Sequence, residues 1–197
     1  QGMVAKSVTL GTHEYRVSCG NYHTKSGVIN VTAEEKSVLE IKLNPNFGWI
    51  DLRATSEDSR GAFVYLDNER IGQLPMKTDA LKSGDYSLRF VKSLYESFEQ
   101  TVSVVDNSVT NVDVELRPNY ARVTFLVDDQ SEIWLDDVYK GVGQCQVILE
   151  LGQYKIETRK ASHKSTSQLV EISSTEPQQI ELDSPVAKPY LIPRVFS

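Results

Sequence analysis

Cysteine is nearly absent from this chain: Cys19 and Cys145 are the only two among 197 residues. That scarcity excludes a small fold stapled by disulfides, which needs many cysteines at tight spacing. The two thiols fall at non-corresponding places in the sequence and serve as small apolar side chains, with no information about compartment. Long apolar runs are missing too. No stretch approaches the ~18 residues of a membrane-spanning helix, and Gln1 to Lys6 lacks the charged and apolar regions of a secretion signal, so any targeting signal is expected outside this sequence. Excess positive charge is also lacking. Lys and Arg number 21 against 27 Asp and Glu, a formal net charge of −6, and the two signs are interleaved along the chain. No basic face exists to neutralise phosphate, so nucleic acid and anionic membrane are not expected partners. Helical periodicity of useful length is absent as well, and with it any Gly-rich loop that cradles phosphate ahead of a helix. The 40% apolar content still suffices to build packed cores.

What the chain has in quantity is self-similarity. Gly11 to Tyr22, GTHEYRVSCGNY, aligns without gaps to Gly84 to Tyr95, GDYSLRFVKSLY, and to Gly152 to His163, GQYKIETRKASH, at offsets of 73 and 68 residues (84 − 11 and 152 − 84). Each block is followed by an alternating run with a matching end: Leu39-Glu40-Ile41-Lys42-Leu43, Val112-Asp113-Val114-Glu115-Leu116 and Gln178-Gln179-Ile180-Glu181-Leu182. Pro45, Pro118 and Pro185 come close behind. A front half occurs only twice, as Trp49 to Ala54 and Ala62 to Asp67 with Gly72, then as Arg122 to Val127 and Ser131 to Asp136 with Gly141. The first copy is therefore expected to lack its front half, because Gly2 falls about where Gly72 and Gly141 fall. The predicted organisation is the C-terminal half of a repeat over residues 1–45, a complete copy over 46–118, a complete but divergent copy over 119–183, and a Pro-rich tail or the start of a further module over 184–197.

The period inside these blocks is two, the mark of a strand with one buried face. In the middle copy Ile50, Leu52 and Ala54 share a face, as do Val64 and Leu66, then Tyr86, Leu88 and Phe90, then Val102 and Val104, then Val112, Val114 and Leu116. Turn-forming residues separate them, among them Asp67-Asn68, Lys82-Ser83-Gly84 and Asp106-Asn107-Ser108. Short strands at regular spacing predict an all-β chain of small antiparallel β-sandwiches. Roughly 70 residues is a marginal size for an independent core, so neighbouring copies are expected to pack end to end.

At this point the residues resemble a known family. Gly61-Ala62-Phe63-Val64-Tyr65-Leu66-Asp67, Gly72-Gln73-Leu74-Pro75, Gly84-Asp85-Tyr86 and Tyr95 are similar to the PEGA domain, with its Gly-Ala-x-Val-x-x-Asp-Gly, Gly-x-x-Pro and Gly-x-His or Gly-x-Tyr elements. The linker Asn44-Pro45-Asn46-Phe47-Gly48 resembles the junctions of tandem PEGA arrays in envelope proteins of Bacteroidetes-type bacteria. The sequence departs from the pattern at Asn68 and Asp137, which stand in place of the glycine after the Asp, and the motif proline occurs only as Pro75. The resemblance implies a sandwich of the transthyretin or carboxypeptidase-regulatory type, an extracytoplasmic location in periplasm or at the cell surface, and a place beside other domains of the same polypeptide. It carries over no catalytic residues.

Catalysis needs convergent groups, and the sequence offers no convincing set. His13 holds the core-facing position of Tyr86 and Tyr154, where a half-buried, hydrogen-bonded ring is expected; His163 holds the hairpin position of Tyr22 and Tyr95; His23 is the neighbour of Tyr22. Asp128-Asp129, Glu132 and Asp136-Asp137 flank one strand at opposite ends and lack the alternating ligands of a calcium loop. No catalytic residue, metal ligand or cofactor is expected. With Val64 and Leu66 turned inward, Phe63 and Tyr65 point outward, as do Trp134 in the last copy and Trp49. Trp134, Tyr65 and Trp49 are thus the candidate ligand contacts, since exposed rings stack on sugars or anchor protein partners. The plainer reading is that they pack on the outer face or in the seams between copies.

The function expected from these residues and the resemblance is a non-enzymatic structural spacer or adhesion module of a larger bacterial cell-envelope protein. The alternative is a module that binds glycan or a surface protein through outward aromatics and loops. A further expectation concerns residues 1–45. Without a front half, their apolar face of His13, Tyr15, Val17, Ile29, Val31, Leu39 and Ile41 is left uncovered, which invites strand exchange with a neighbouring chain, including its tail around Ala187 to Phe196.

Overall fold

Every regular element among the described residues is a strand. The computed structural model describes residue 4, residues 6–33 and residues 38–189. Contacts divide the chain into two units, one of Gln1–Val91 with Ser97–Glu115, the other of Lys92–Glu96 with Leu116–Ser197.

The first unit opens with a hairpin of β1 (Gly11–Val17) and β2 (Lys25–Val31), antiparallel from Gly11 opposite Val31 to Val17 opposite Lys25. Two larger sheets follow, drawn from β3 (Phe47–Ala54), β4 (Phe63–Leu66), β5 (Glu69–Gln73), β6 (Met76–Lys77), β7 (Leu81–Lys82), β8 (Gly84–Val91), β9 (Phe98–Val104) and β10 (Val109–Val114). One runs β10-β3-β6, with β7 also on β3; the other runs β5-β4-β8-β9. Ile50, Leu52, Val64, Leu88, Phe90, Val104 and Val114 are buried at alternate positions of these strands. Burying a side chain of this kind contributes ~1.5–3 kcal/mol, and period-two alternation lets each sheet bury one face while the other stays wet.

The second unit repeats the plan with β11 (Tyr120–Leu126), β12 (Glu132–Leu135), β13 (Val138–Val142), β14 (Gln144–Glu150), β15 (Gly152–Arg159), β17 (Thr166–Ile172) and β18 (Gln178–Glu181). Its sheets are β14-β11-β18 and β13-β12-β15-β17, and a short pair joins β16 (His163–Lys164) to β19 (Val186–Ala187). The core between them holds Val123, Phe125, Ile133, Ile156, Val170 and Ile172.

Most pairings are antiparallel, but β10 lies parallel to β3 and β18 parallel to β11. The reason is the path: the chain leaves β9 or β17 in one sheet and enters β10 or β18 in the other, a crossover that hairpin alternation does not reveal. Strands β5, β6, β7, β13 and β14 are additional to those that the alternation in the sequence marks, and β6 and β7 are only two residues long.

One expected strand is not formed. Residues 38–43 carry no strand, although Leu39 to Leu43 match Val112 to Leu116 in sequence. Val109–Val114 is a strand because β3 lies beside it; no counterpart of β3 lies beside Leu39 to Leu43 among the described residues. Gly2, residues 34–37 and the tail from Tyr190 onward lie outside the described residues.

Candidate functional site

The turns are built from the same residues each time. Asp67 and Asn68 have φ of 47° and 70°, and Asp136 and Asp137 have 45° and 66°, the left-handed pair that a two-residue hairpin requires. Asp67 and Asp136 also accept hydrogen bonds from the Ser87 and Lys155 amides at 2.8 and 3.2 Å, which fixes the departure of β4 and β12 against β8 and β15. Gly11, Gly84 and Gly152 take φ of 119°, 149° and 154°, a region that favours glycine.

Just after each of these glycines, a ring reaches back four residues. Nε2 of His13 bonds the Thr9 carbonyl at 2.7 Å, the Tyr86 hydroxyl donates to the Lys82 carbonyl at 2.8 Å, and the Tyr154 hydroxyl donates to the Glu150 carbonyl at 2.9 Å. This clamp over a strand entry is analogous to the corner tyrosine of Greek-key sandwiches. Burial, with the Glu150 and Asp136 carboxylates behind it, pushes the Tyr154 phenol up, so it remains a donor. His13 is half-buried and hydrogen-bonded, in the place its sequence position indicates.

The hairpin tips are the second recurrent device. Asn21, Leu94 and Ser162 all adopt φ of 62–70°, and the residue after each donates its amide three residues back, Tyr22 to Cys19, Tyr95 to Lys92 and His163 to Lys160. A downstream segment then pairs with each tip: Tyr22 bridges Pro45, Tyr95 bridges Pro118, and His163 and Lys164 pair with Ala187 and Val186. Around the first two bridges, the His23 amide donates to Asn44 O and the Asn46 amide to Asn21 O, while Glu96 donates to Arg117 O and Asn119 to Leu94 O. Edge-on aromatic contacts finish both, Tyr22 with Phe47 and Tyr95 with Tyr120, each at 6.0 Å between centroids. Sequence comparison registers the recurrent Tyr and Pro but not this pairing, which is made by backbone.

The outward aromatics are half-buried and each has a cation over one face. Arg89 lies 4.4 Å over Tyr65, Arg159 4.1 Å over Trp134, and the Lys77 ammonium 5.5 Å over Trp49. Trp134 also donates Nε1–H to Glu132 at 2.9 Å and meets Tyr139 edge-on at 5.6 Å; Trp49 meets Phe47 edge-on at 5.4 Å. Glu157 grips the Arg159 guanidinium with both oxygens, at 2.9 and 3.0 Å. Contacts of this sort contribute ~0.5–1 kcal/mol each at exposed sites.

Two polar clusters stand outside these devices. Asp106 accepts from the Ser83 hydroxyl and from His23 Nε2, the latter at 2.7 Å. The Ser83 bond and then the His23 bond hold its carboxyl below the usual range. Carboxylate, not histidine, sits in the middle, so the serine proton is directed at an acceptor that cannot relay it; this is the reverse of a Ser-His-Asp arrangement. Asp128 caps the 128–131 turn, accepting from Ser131 Oγ at 2.5 Å, from the Gln130 amide at 3.3 Å and from Lys160 Nζ at 3.0 Å. The Ser131 hydroxyl and then Lys160 hold its carboxyl far below the usual range. It borders a shallow depression of about 270 Å³ with Leu126, Val127, Glu181 and Leu182. Among the described residues no three His, Cys, Asp or Glu side chains converge, and His163 spends Nδ1 on the Ala161 carbonyl at 2.9 Å.

Turns, corners, capped rings and bridged tips define an all-β module whose recurrent residues serve architecture. The model of the PEGA domain matches residues 49–120. PEGA domains are not known enzymatic domains; they occur as structural or surface modules of larger proteins, typically extracellular or periplasmic. Among solved structures the chain is similar to the Bacillus anthracis TIE protein, at 14% identity and a TM-score of 0.41, over 89% of this chain and 42% of that one. The chain thus spans less than half the length of that relative. No curated protein matches it.

Proposed function

We propose that this chain is a non-enzymatic spacer or adhesion segment of a larger bacterial cell-envelope protein, built from PEGA-type repeats in tandem, with residues 46–118 and 119–183 as complete copies and residues 1–45 as the back half of another. The supporting observation is the recurrent bridge between a hairpin tip and the segment that follows, at Tyr22 with Pro45, at Tyr95 with Pro118 and at His163 with Ala187. A linker tied down by backbone hydrogen bonds on both sides loses the freedom of an open linker, and a spacer needs that loss. An extracytoplasmic location is part of this reading, supported by the match of residues 49–120 to a domain typical of extracellular and periplasmic proteins. The test is electron–electron distance measurement between spin labels at Glu14→Cys and Asp113→Cys, both exposed, in a Cys19→Ser background. The spacer reading expects a narrow distribution that broadens when Tyr22→Ala and Phe47→Ala remove the aromatic contact. A broad distribution in the unaltered junction sinks it.

The second reading is a glycan- or protein-binding module, favoured by the outward, half-exposed rings of Trp134, Tyr65 and Trp49. It requires the uncapped ring faces to receive the ligand. Quenching or enhancement of Trp134 emission by soluble cell-wall glycans, lost in Trp134→Ala, supports it; unchanged emission across the panel removes it.

A further inference from the structure

Strand β8 runs between β4 and β9, and β15 runs between β12 and β17, whereas among the described residues β1 pairs with β2 alone. At the 73- and 68-residue offsets, the part of the first segment that corresponds to a doubly paired strand is Tyr15 to Val17, the end of β1, with Ser18 just beyond it. Its counterparts are Leu88 to Val91, which pair with Leu66 to Phe63, and Ile156 to Arg159, which pair with Leu135 to Glu132. The second gap lies beside Leu39 to Leu43, whose counterparts run parallel to β3 and β11.

Burial tracks these gaps residue by residue. Leu88 and Phe90 are 0% exposed and Ile156 and Thr158 0% and 2%, while their counterparts Tyr15 and Val17 are only half-buried. Val102, Val104, Val170 and Ile172 are buried; Ile29 and Val31 are not. No described residue before Gly48 is buried. The hairpin nonetheless keeps the full register of β8 with β9 and carries its own corner bond at His13. It has the form of a module's back half on which no described residue of a front half is seated.

We propose that the face of β1, β2 and Leu39 to Leu43 is a strand-acceptor site whose occupant is a front half of this same sequence type. One strand with the pattern of Ala62 to Asp67 would lie antiparallel to Tyr15 to Ser18, and one with the pattern of Trp49 to Ala54 parallel to Leu39 to Leu43. Two such strand pairs are already seated at the corresponding places in this chain, which sets the chemistry: small and branched apolar residues inward, an aromatic outward. The outer side agrees. Arg16 corresponds to Arg89, which lies over Tyr65, so Arg16 stands where it would cap a donor ring at the Tyr65 position. The acceptor stands whether or not the assembled protein is a spacer.

The test replaces residues 1–10 with a second copy of residues 46–83, so that the copied strands precede Gly11 as the originals precede Gly84. Amide exchange at Thr12 to Ser18 and at Leu39 to Leu43 should slow by about 100-fold or more, toward that of Tyr86 to Val91. Val64→Asp and Leu52→Asp made in the copy alone should return it to the rate of the unaltered chain. Unchanged exchange in the graft, with Tyr86 to Val91 still protected, overturns the proposal. Should the graft fail to fold, the unaltered chain is titrated with a synthetic peptide of residues 61–73; shifts confined to Tyr15 to Ser18 and absent with the Val64→Asp peptide sustain it, and none at up to about 1 mM overturns it. Protection already present in the unaltered chain together with a concentration-dependent mass assigns the face to a second copy and also overturns it.

Discussion

One cross-strand position appears three times in this chain with three different solutions. In the middle segment Phe90 faces Phe98, the rings stacked at 5.9 Å and 19°, and Phe90 is wholly buried. In the last segment Thr158 faces Thr166, and the buried Thr158 hydroxyl donates to the Asp183 carbonyl at 2.7 Å. In the first segment Val17 faces Lys25 and is half-buried. The register is the same throughout. Pairing is therefore fixed by the glycine entry, the corner bond and the hairpin tip, while burial is fixed by what lies across the sandwich. The same position serves as an apolar core site, as a hydrogen-bonded core site, or as an open one.

The largest expected effect separates the first two cases from the third. Phe90→Ala should destabilise the first unit by ~3–5 kcal/mol, the usual cost of emptying a buried ring site, whereas Val17→Ala should cost under about 1 kcal/mol because little is buried there. Chemical denaturation followed at Trp49 in a Trp134→Phe background measures both, and equal losses would break the comparison. Thr158→Val comes next. It keeps the shape and strands the Asp183 carbonyl without its donor, a loss of ~1–2 kcal/mol, read at Trp134 in a Trp49→Phe background; no loss would mean that the hydroxyl contributes only volume.

Asp128→Asn should destabilise the second unit by about 1 kcal/mol, a figure discounted because the side chain is a third exposed and solvent screens its bond to Lys160. The sign with pH is fixed by the lowered carboxyl. A group depressed in the folded state contributes fully above its unfolded value near 4 and loses that contribution as pH falls further. The unaltered protein should therefore lose second-unit stability below about pH 4 more steeply than the Asn variant, and parallel curves would remove Asp128 from the account. The smallest effect is a gain. Leu94 holds a left-handed φ of 70° where the first segment uses Asn21, and Leu94→Asn should stabilise by ~0.5–1 kcal/mol by relieving that backbone. A loss instead would show that the leucine side chain packs to advantage.

Much of this was written into the residues. Alternation at Ile50 and Leu52, at Leu88 and Phe90 and at Val112 and Val114 marks buried strand faces, and Asp67-Asn68 and Gly84 mark turns, because these are local properties of a chain with side chains alternating about its backbone. The candidate aromatics were also legible as outward, by the same alternation. Their caps were not: nothing in the spacing of Arg89 and Tyr65, or of Arg159 and Trp134, says that a guanidinium will lie on the ring, since that depends on which strands become neighbours. Tertiary structure alone decided the parallel seating of β10 on β3, the edge strand β14, the bridges from Tyr22 to Pro45 and from Tyr95 to Pro118, and the missing strand at Leu39 to Leu43. A strand needs a partner to satisfy its backbone, and the partner lies far away in sequence or is not found among the described residues. Local sequence determined which residues can form a strand and which face turns inward; only the assembled sheets decided whether that face was covered.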